Sequence, residues 1–595
     1  MNRKPIEKAK DIKKTIQKLI QYFSKYHFSL IIVFIVAILS TIFSILGPKI
    51  LGNATQELYV GVIAKIQGTG SINFDVISHI LFTLVMLYVM AAIFSYIESW
   101  IMAKISKNIT YQLRDQMSKK IKKLPMSYFD KKTHGETLSI ISNDVDILGM
   151  TLNQSATTLV TSLVTVIGIF VMMCSINVTL AIITALVLPV ASLLVAFVVG
   201  KSQKYFAAQQ EYLGHVNGEI EEILGGYTVV KAFNAEEKML KKFDEDNLKL
   251  YESAWKSQFI SGMMHPIMNF VSNLNYVLIA ILGSYFVILG KINVGNIQSF
   301  ISYSKNFTQP IAQFAQVMNQ LQTMLAAAER IFEFLDEREE TVSSNNICDI
   351  NSLKGNVTFE HVKFGYNDDN IIINDFSLKV KQGQKIAIVG PTGAGKTTIV
   401  KLLMRFYSLN DGAIYLDDYN INDFNPKDYR HAFGMVLQDT WLFSGTIMDN
   451  LRYGNLEATD EEVIKAAKAA NVDHFIRTLP GGYNMILNEE TTNISSGQKQ
   501  LLTIARAILA NPKVMILDEA TSNVDTRTEE LIQNAMDKLM KGRTSFIIAH
   551  RLSTIKNADV ILVLNHGDIV EVGTHQELLD KNGFYADLYN SQFEL

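Results

Sequence analysis

Between Ile147 and Gly200 the chain contains no Asp, Glu, Lys or Arg. The four residues Ser175 to Val178 offer the one turn inside that run. Phe28 to Pro48 and Ile80 to Ile97 are equally free of charge, and Ser257 to Gly290 carries at most a charge on His265. Ile292 to Ala328 is interrupted by Lys305 alone. About 20 apolar residues take a helix across a bilayer, so the pattern predicts six spans, roughly at 28–48, 79–99, 155–174, 178–199, 262–289 and 295–318. A soluble core cannot absorb so much uncharged sequence, and the positive mean hydropathy of the chain is concentrated in its first half.

Basic residues set the orientation, because they collect in cytoplasmic loops. Residues 1–27 hold eight Lys and Arg, 102–150 hold nine and 201–256 hold eight, whereas the opposing loops hold Lys49, Lys65 and Lys291. Both termini are therefore expected in the cytoplasm of a cell-membrane protein. The N-terminal charged stretch is too long for a cleavable signal peptide, and residues 7–25 read as a basic amphipathic helix on the membrane surface. The two long basic segments are helical in composition and are expected to extend the spans into the cytoplasm. Each has a glycine-marked reversal, at Thr133 to Glu136 and at Gly225-Gly226. A net charge of −3 over 595 residues gives no reason to expect a nucleic-acid partner. Cys174 and Cys348 lie in unlike surroundings, which argues against a disulfide framework.

After the polar stretch at 336–346 the character changes to strands alternating with helices, an α/β pattern. The short apolar strand Lys385 to Val389 runs into Gly390, Pro391, Thr392, Gly393, Ala394, Gly395, Lys396 and Thr397, and then into a helix from Thr398. This is G-x-x-x-x-G-K-[ST] in its strand–loop–helix setting. Glycines let backbone N–H groups close around phosphates at a helix start. Lys396 supplies a point charge to the β/γ oxygens, and the Thr397 hydroxyl can join a Mg²⁺. Downstream, the strand Val514 to Leu517 ends in Asp518-Glu519. Asp518 suits the metal shell, and Glu519 suits a base that orients water against the γ-phosphate.

With these motifs in place the chain resembles an exporter-type half-transporter of the ABC superfamily, along essentially its whole length. The resemblance implies a membrane all-α domain of six transmembrane helices with long cytoplasmic extensions, followed by an α/β P-loop ABC nucleotide-binding domain. Its expected limits are an elbow helix at 1–27, a transmembrane domain at 28–330, a linker at 331–352 and the nucleotide-binding domain at 353–595. Tyr366 matches the residue that stacks on adenine, Gln438 the glutamine that senses Mg²⁺, and His550 the histidine that touches the γ-phosphate. Ser495, Ser496, Gly497 and Gln498 occupy the signature position, and Asp525 ends the loop that crosses between subunits. By the same resemblance Ser127 to Asp146 and Gly226 to Lys231, within about 127–146 and 220–236, would be the coupling regions. ATP and Mg²⁺ are the implied cofactors, with Thr397, Gln438 and Asp518 around the metal.

In this family each ATP lies between one subunit's phosphate loop and the other's signature, so the resemblance implies a dimer. Lys396, Thr397, Gln438, Asp518, Glu519 and His550 make a complete hydrolytic half, but the signature departs from the usual Leu-Ser-Gly-Gly-Gln. Ile494 replaces leucine and Ser496 replaces a glycine, which is expected to reduce backbone freedom there. The stretch Leu487 to Thr491 keeps Glu489 but lacks two glycines common in relatives. This mixture resembles the catalytic-glutamate subunit of bacterial heterodimeric multidrug exporters, with a homodimer as the alternative. Hydrophobic or amphipathic drugs are the expected substrates, with a lipid or lipid-linked molecule as the alternative; a non-pumping regulatory subunit fits less well. Gln298, Gln309, Gln313 and Gln316 suit a large amphipathic cavity in the sixth span. Lys305 either faces such a cavity or a partner, or snorkels to an interface.

Overall fold

The computed structural model describes residues 11–340, 350–367, 370–437, 440–488, 493–518, 525–548 and 552–593. The chain divides into two compact units. One comprises residues up to Lys122 together with Lys132–Glu337, and the other comprises Lys123–Lys131 with Arg338–Leu595.

The first unit is helical. It begins with α1 (Ile12–Ser24), capped by the Asp11 side chain, which accepts from Lys14 N. Next come α2 (His27–Ile66) and α3 (Phe74–Ile121). The loop segment after α3 contains α4 (Met126–Lys131), and the chain then reverses into α5 (His134–Ser139). A π-turn at Ile140–Asp144 leads into α6 (Val145–Ile176), α7 (Val178–Gly225), α8 (Tyr227–Ala232), α9 (Glu236–Gly262), α10 (Met264–Ile288) and α11 (Val294–Asp336).

Helices α3, α7 and α11 start alike. Asn73, Asn177 and Asn293 each accept a hydrogen bond from the backbone N–H three residues on, which satisfies one of the donors a helix start leaves bare. Asn177 thereby divides the longest uncharged run into α6 and α7. Among the described residues, four segments are long and apolar enough to cross a membrane: His27–Ile66, Phe74–Ile121, His134–Ile176 and Glu236–Ile288. In α7 the stretch Val178–Val187 is a shorter apolar segment, and α11 contains the last of the predicted spans.

Two features tie this unit together. Gly52 of α2 and Gly295 of α11 touch backbone to backbone, since a Cβ built on Gly295 would lie 2.0 Å from the Gly52 oxygen. Small residues permit such close helix crossings where no hydrophobic driving force separates helix from lipid. Gln56 accepts from Gly295 N at 3.2 Å, and the Ser299 hydroxyl donates to Pro48 O at 3.0 Å beside the crossing. Further along α11, Arg330 grips the buried Asp144 carboxylate with two bonds of 2.8 and 2.6 Å.

In the second unit a six-stranded sheet runs in the order β12-β11-β3-β10-β9-β6. Its strands are β3 (Lys385–Val389), β6 (Phe433–Val436), β9 (Val514–Asp518), β10 (Thr544–Ile548), β11 (Val560–Asn565) and β12 (Asp568–Gly573). All pairs are parallel except the edge pair β11–β12. A second, antiparallel sheet is ordered β2-β1-β4-β5, from β1 (Val357–Phe364), β2 (Ile373–Val380), β4 (Asp411–Leu416) and β5 (Tyr419–Asn420). The short β7 (Gly445–Thr446) and β8 (Ile486–Leu487) pair antiparallel with each other.

Strand alternation builds two cores from the same strands. Ile386 and Ile388 of β3, Ile516 of β9 and Leu562 of β11 face the antiparallel sheet and pack with Phe359, Phe376 and Ile399. Ala387, Val389, Leu517 and Val563 face the opposite way and pack with Leu501, Ile504, Ile532 and Leu539. Strands buried on both faces need the uncharged runs seen in the sequence, and each fully buried Ile, Leu or Val contributes roughly 1.5–3 kcal/mol.

The nine residues Lys123–Lys131, although far away in sequence, belong to this unit. Leu124 and Tyr128 are buried. Lys123 O accepts from Glu340 N at 2.8 Å, and the Lys123 ammonium lies 3.3 Å from Glu339.

Candidate functional site

The phosphate-loop motif leaves the C-terminal end of β3 and opens α12 (Lys396–Leu403). Gly390, Gly393 and Gly395 take φ of +152°, +85° and +98°, backbone states that L side chains rarely adopt. At Gly390 a Cβ would also strike Leu564 O at 2.2 Å. Ala394 is buried, whereas Thr392 and Gly393 are exposed at the mouth and Pro391 is half-buried. The loop is thus a rigid turn with an open rim at a helix start, which is the form a phosphate cradle requires.

Lys396 lies inside this turn. Its ammonium donates to Gly390 O at 2.6 Å and to Pro391 O at 3.0 Å. Burial holds its pKa below the ordinary lysine range, with the Asp518 carboxylate pulling the other way. A half-buried cation held by neutral carbonyls gains much from an arriving polyphosphate, so the loop fits a nucleotide triphosphate. Thr397 is exposed beside it. Thr398 is buried, with its hydroxyl 3.4 Å from the Tyr366 hydroxyl.

Asp518 is the last residue of β9 and pairs with Ile548 of β10, which in turn pairs with Ile388 of β3. The phosphate loop, Asp518 and the chain leading to residue 550 therefore emerge from one edge, the carboxyl ends of parallel strands, where open α/β sheets bind ligands. Gln438, Glu519 and His550 lie outside the described residues, as do Glu489 and Ser522.

The signature residues stand elsewhere. Ser495 caps the helix Ser496–Ala510 through a reciprocal box: its hydroxyl accepts from Gln498 N at 3.3 Å, and Gln498 Oε1 accepts from Ser495 N at 2.9 Å. Gly497 is buried and Ser496 exposed. Ser496 is the first helical residue with no positive φ. Serine adopts this ordinary helical geometry without backbone strain. This helix packs into the core on the face of the large sheet opposite to α12. Asp525 caps the helix Thr526–Met540, and its hydrogen bond from Thr528 holds its carboxylate below the ordinary range.

Around Tyr366 the structure gathers residues that the motifs did not single out. Phe364 and Tyr407 meet the Tyr366 ring edge-on, with centroids 5.1 Å away in each case. The Lys401 ammonium lies 5.7 Å from the centroids of both Tyr366 and Tyr407. A lysine five positions beyond Lys396, on the same helix, was the sequence signal available.

A P-loop unit of this topology, joined in one chain to long apolar helices, defines a membrane-embedded ATP-binding machine. Residues 30–311 match the transmembrane region of ABC transporters, and residues 373–522 match the ABC transporter ATP-binding family. The chain is 40% identical, over 99% of its length and 96% of the relative's, to an uncharacterized ABC transporter ATP-binding protein, YfiC, of Bacillus subtilis. It is 41% identical, over 94% of its length and 93% of the relative's, to the fatty acid ABC transporter ATP-binding/permease protein of Mycobacterium bovis. A B. subtilis protein assigned provisionally by its name to multidrug export, YgaD, is 34% identical over 84% of this chain and 85% of its own length. The chain belongs to the ABC transporter family. It is an exporter-type fusion of permease and ATP-binding domain, and hydrolyses ATP to drive transport.

Proposed function

We propose that this chain is one half of a heterodimeric exporter that moves hydrophobic or amphipathic small molecules out across the cell membrane. In this reading α2, α3, α6, α7, α10 and α11 supply six crossings from about residue 28 to 330, with both termini in the cytoplasm. Residues from about 353 bind ATP. Tyr366 stacks the base, the loop Gly390–Thr398 holds the phosphates, and Thr397, Gln438 and Asp518 hold Mg²⁺. Bound there, the metal would neutralise phosphate charge. Glu519 orients water, His550 contacts the γ-phosphate, and Ser495 to Gln498 with Asp525 complete the partner's site.

The observation that carries this reading is Lys396, whose ammonium, among the described residues, is held by the loop carbonyls of Gly390 and Pro391 beside Asp518 at the parallel strand ends. Comparing the purified chain alone with the chain plus its partner tests the assembly, since strong ATPase activity from the lone chain would remove the need for an unlike subunit. Glu519→Gln is expected to bind ATP but turn over at least about a hundredfold more slowly. Near-normal turnover would take Glu519 out of its role.

A second reading is favoured by Lys305. It is exposed in the apolar α11, and its ammonium lies 6.0 Å from the Tyr276 ring of α10. A mid-span cation suits the carboxylate of an anionic amphiphile, and the M. bovis relative is named for fatty acids. Stimulation of the reconstituted ATPase by long-chain fatty acids, lost in Lys305→Ala, would favour lipid; stimulation by neutral and cationic dyes, unaffected by that change, would favour drugs.

A further inference from the structure

We propose that Lys401 is a positioning residue that ties the base platform to the segment Lys123–Lys131, so that a base stacked on Tyr366 tightens the hold on that segment. This rests on the reading of Tyr366 as the platform. Helix α12 has phosphate chemistry at its N-terminus and Lys401 near its other end. The Lys401 ammonium has three neighbours at once: the Tyr366 ring, the Tyr407 ring, and the Asp130 carboxylate at 3.5 Å. Asp130 lies in α4, within a segment whose two ends run on covalently into α3 and α5.

The three contacts depend on one another. The Tyr407 hydroxyl is enclosed without a hydrogen-bond partner, so that ring is oriented by packing and by the cation rather than by a bond of its own. The Tyr366 residue stays partly exposed, and in the proposed reading a base stacks on its ring. A base laid on that ring fixes it, the fixed ring fixes the ammonium, and the ammonium fixes Asp130. A partly exposed ion pair is weak by itself, and its value here lies in being pre-aimed by two rings. The same network anchors the turn after α12. Arg430 donates to Met404 O and Arg405 O and pairs with Glu340, whose N–H holds Lys123 O. The segment is thus fastened at its start through the linker, and at its end through Lys401.

Coupling of this kind is reciprocal. If the base tightens the segment, the segment must raise affinity for nucleotides with a base, and not for a bare polyphosphate. The test uses the full chain in lipid nanodiscs with magnesium chelated, probing ATP and inorganic tripolyphosphate by equilibrium binding and amide hydrogen exchange at 126–131. In the native protein, ATP but not tripolyphosphate should slow exchange there. Lys401→Met should weaken ATP about three- to fivefold, the scale of a cation–π contact near the surface, leave tripolyphosphate unchanged and abolish the protection. Asp130→Asn should also abolish the protection and add nothing in the double variant, while Lys401→Arg should retain both. Equal weakening of ATP and tripolyphosphate, additive effects, or protection persisting in Lys401→Met would overturn the proposal. A native protein binding ATP no better than tripolyphosphate would instead overturn the platform reading on which it rests.

Discussion

Ser495 caps a helix and, in the proposed reading, also donates to a phosphate of the partner's nucleotide; one pair of substitutions separates the two duties. Its hydroxyl oxygen accepts from Gln498 N, so it caps the helix Ser496–Ala510. A hydroxyl has one donor besides its acceptor lone pairs, and that proton remains available to a phosphate oxygen. Ser495→Ala removes both functions and should cost about 1 kcal/mol of helix stability, whereas Ser495→Gly keeps most of the capping and should cost only a few tenths of a kcal/mol. Both lose the donor, and a hydrogen bond to a charged acceptor contributes roughly 1.5–3 kcal/mol, or about 10- to 150-fold in affinity. Hydrogen exchange across 496–510 reads the cap. ATP binding to the assembled dimer, with hydrolysis suppressed, reads the donor at the site this signature completes. The two variants should thus differ in exchange and agree in lost affinity. Turnover then distinguishes the assemblies, falling with affinity in a homodimer and changing little where this signature faces a weakened site. A glycine variant that binds ATP as well as the native dimer at both sites would reduce Ser495 to a cap.

Other perturbations probe neighbouring features. Ser496→Gly should change nucleotide affinity and turnover by no more than about twofold, because the position is helical and glycine relieves no strain while lowering helix propensity by roughly 0.5 kcal/mol; a tenfold rise in ATPase would contradict this. Gly295→Ala should cost about 1–3 kcal/mol by forcing α11 away from Gly52, visible as a lower melting temperature in detergent, and unchanged melting would rule out the tight crossing. Asp144→Ala leaves the Arg330 guanidinium without its buried partner. Loss of one member of a buried pair costs about 3–5 kcal/mol, and because Arg330 is 35% exposed the expected loss is nearer 2–3 kcal/mol, measured by thermal unfolding against Asp144→Asn.

Four of the apolar spans were legible because their signal is local: the absence of charge needs no tertiary information. The phosphate loop was legible because glycine, lysine and threonine at fixed spacing have few other uses. Three features were not. The ordinary helical geometry of Ser496 depended on a φ angle that a signature string does not carry. The π-turn at Ile140–Asp144 sets the Asp144–Arg330 pair across a separation of 186 residues, beyond the reach of any periodicity. The membership of Lys123–Lys131 in the second unit involves the buried Leu124 and Tyr128 and contacts to Glu339, Glu340 and Lys401, long-range partners that a local pattern does not reveal.

The need for a second subunit arises from how the two cores share strands. Helix α12 packs with Ile386, Ile388, Ile516 and Leu562 on one face of the large sheet, and the helix carrying the signature packs with Ala387, Val389, Leu517 and Val563 on the other. To bring both helix starts onto one nucleotide within one chain, residues alternating along the same strands would have to leave their cores, at roughly 1.5–3 kcal/mol for each large side chain. Sharing the nucleotide between chains requires no such change. Ser496 does not decide between like and unlike partners, since it stands in ordinary helical geometry and its change to glycine is expected to alter turnover no more than about twofold. The choice rests on the activity of the lone chain: in a homodimer both nucleotides meet this chain's own signature, so strong ATPase activity without a second kind of subunit would remove the ground for an unlike partner.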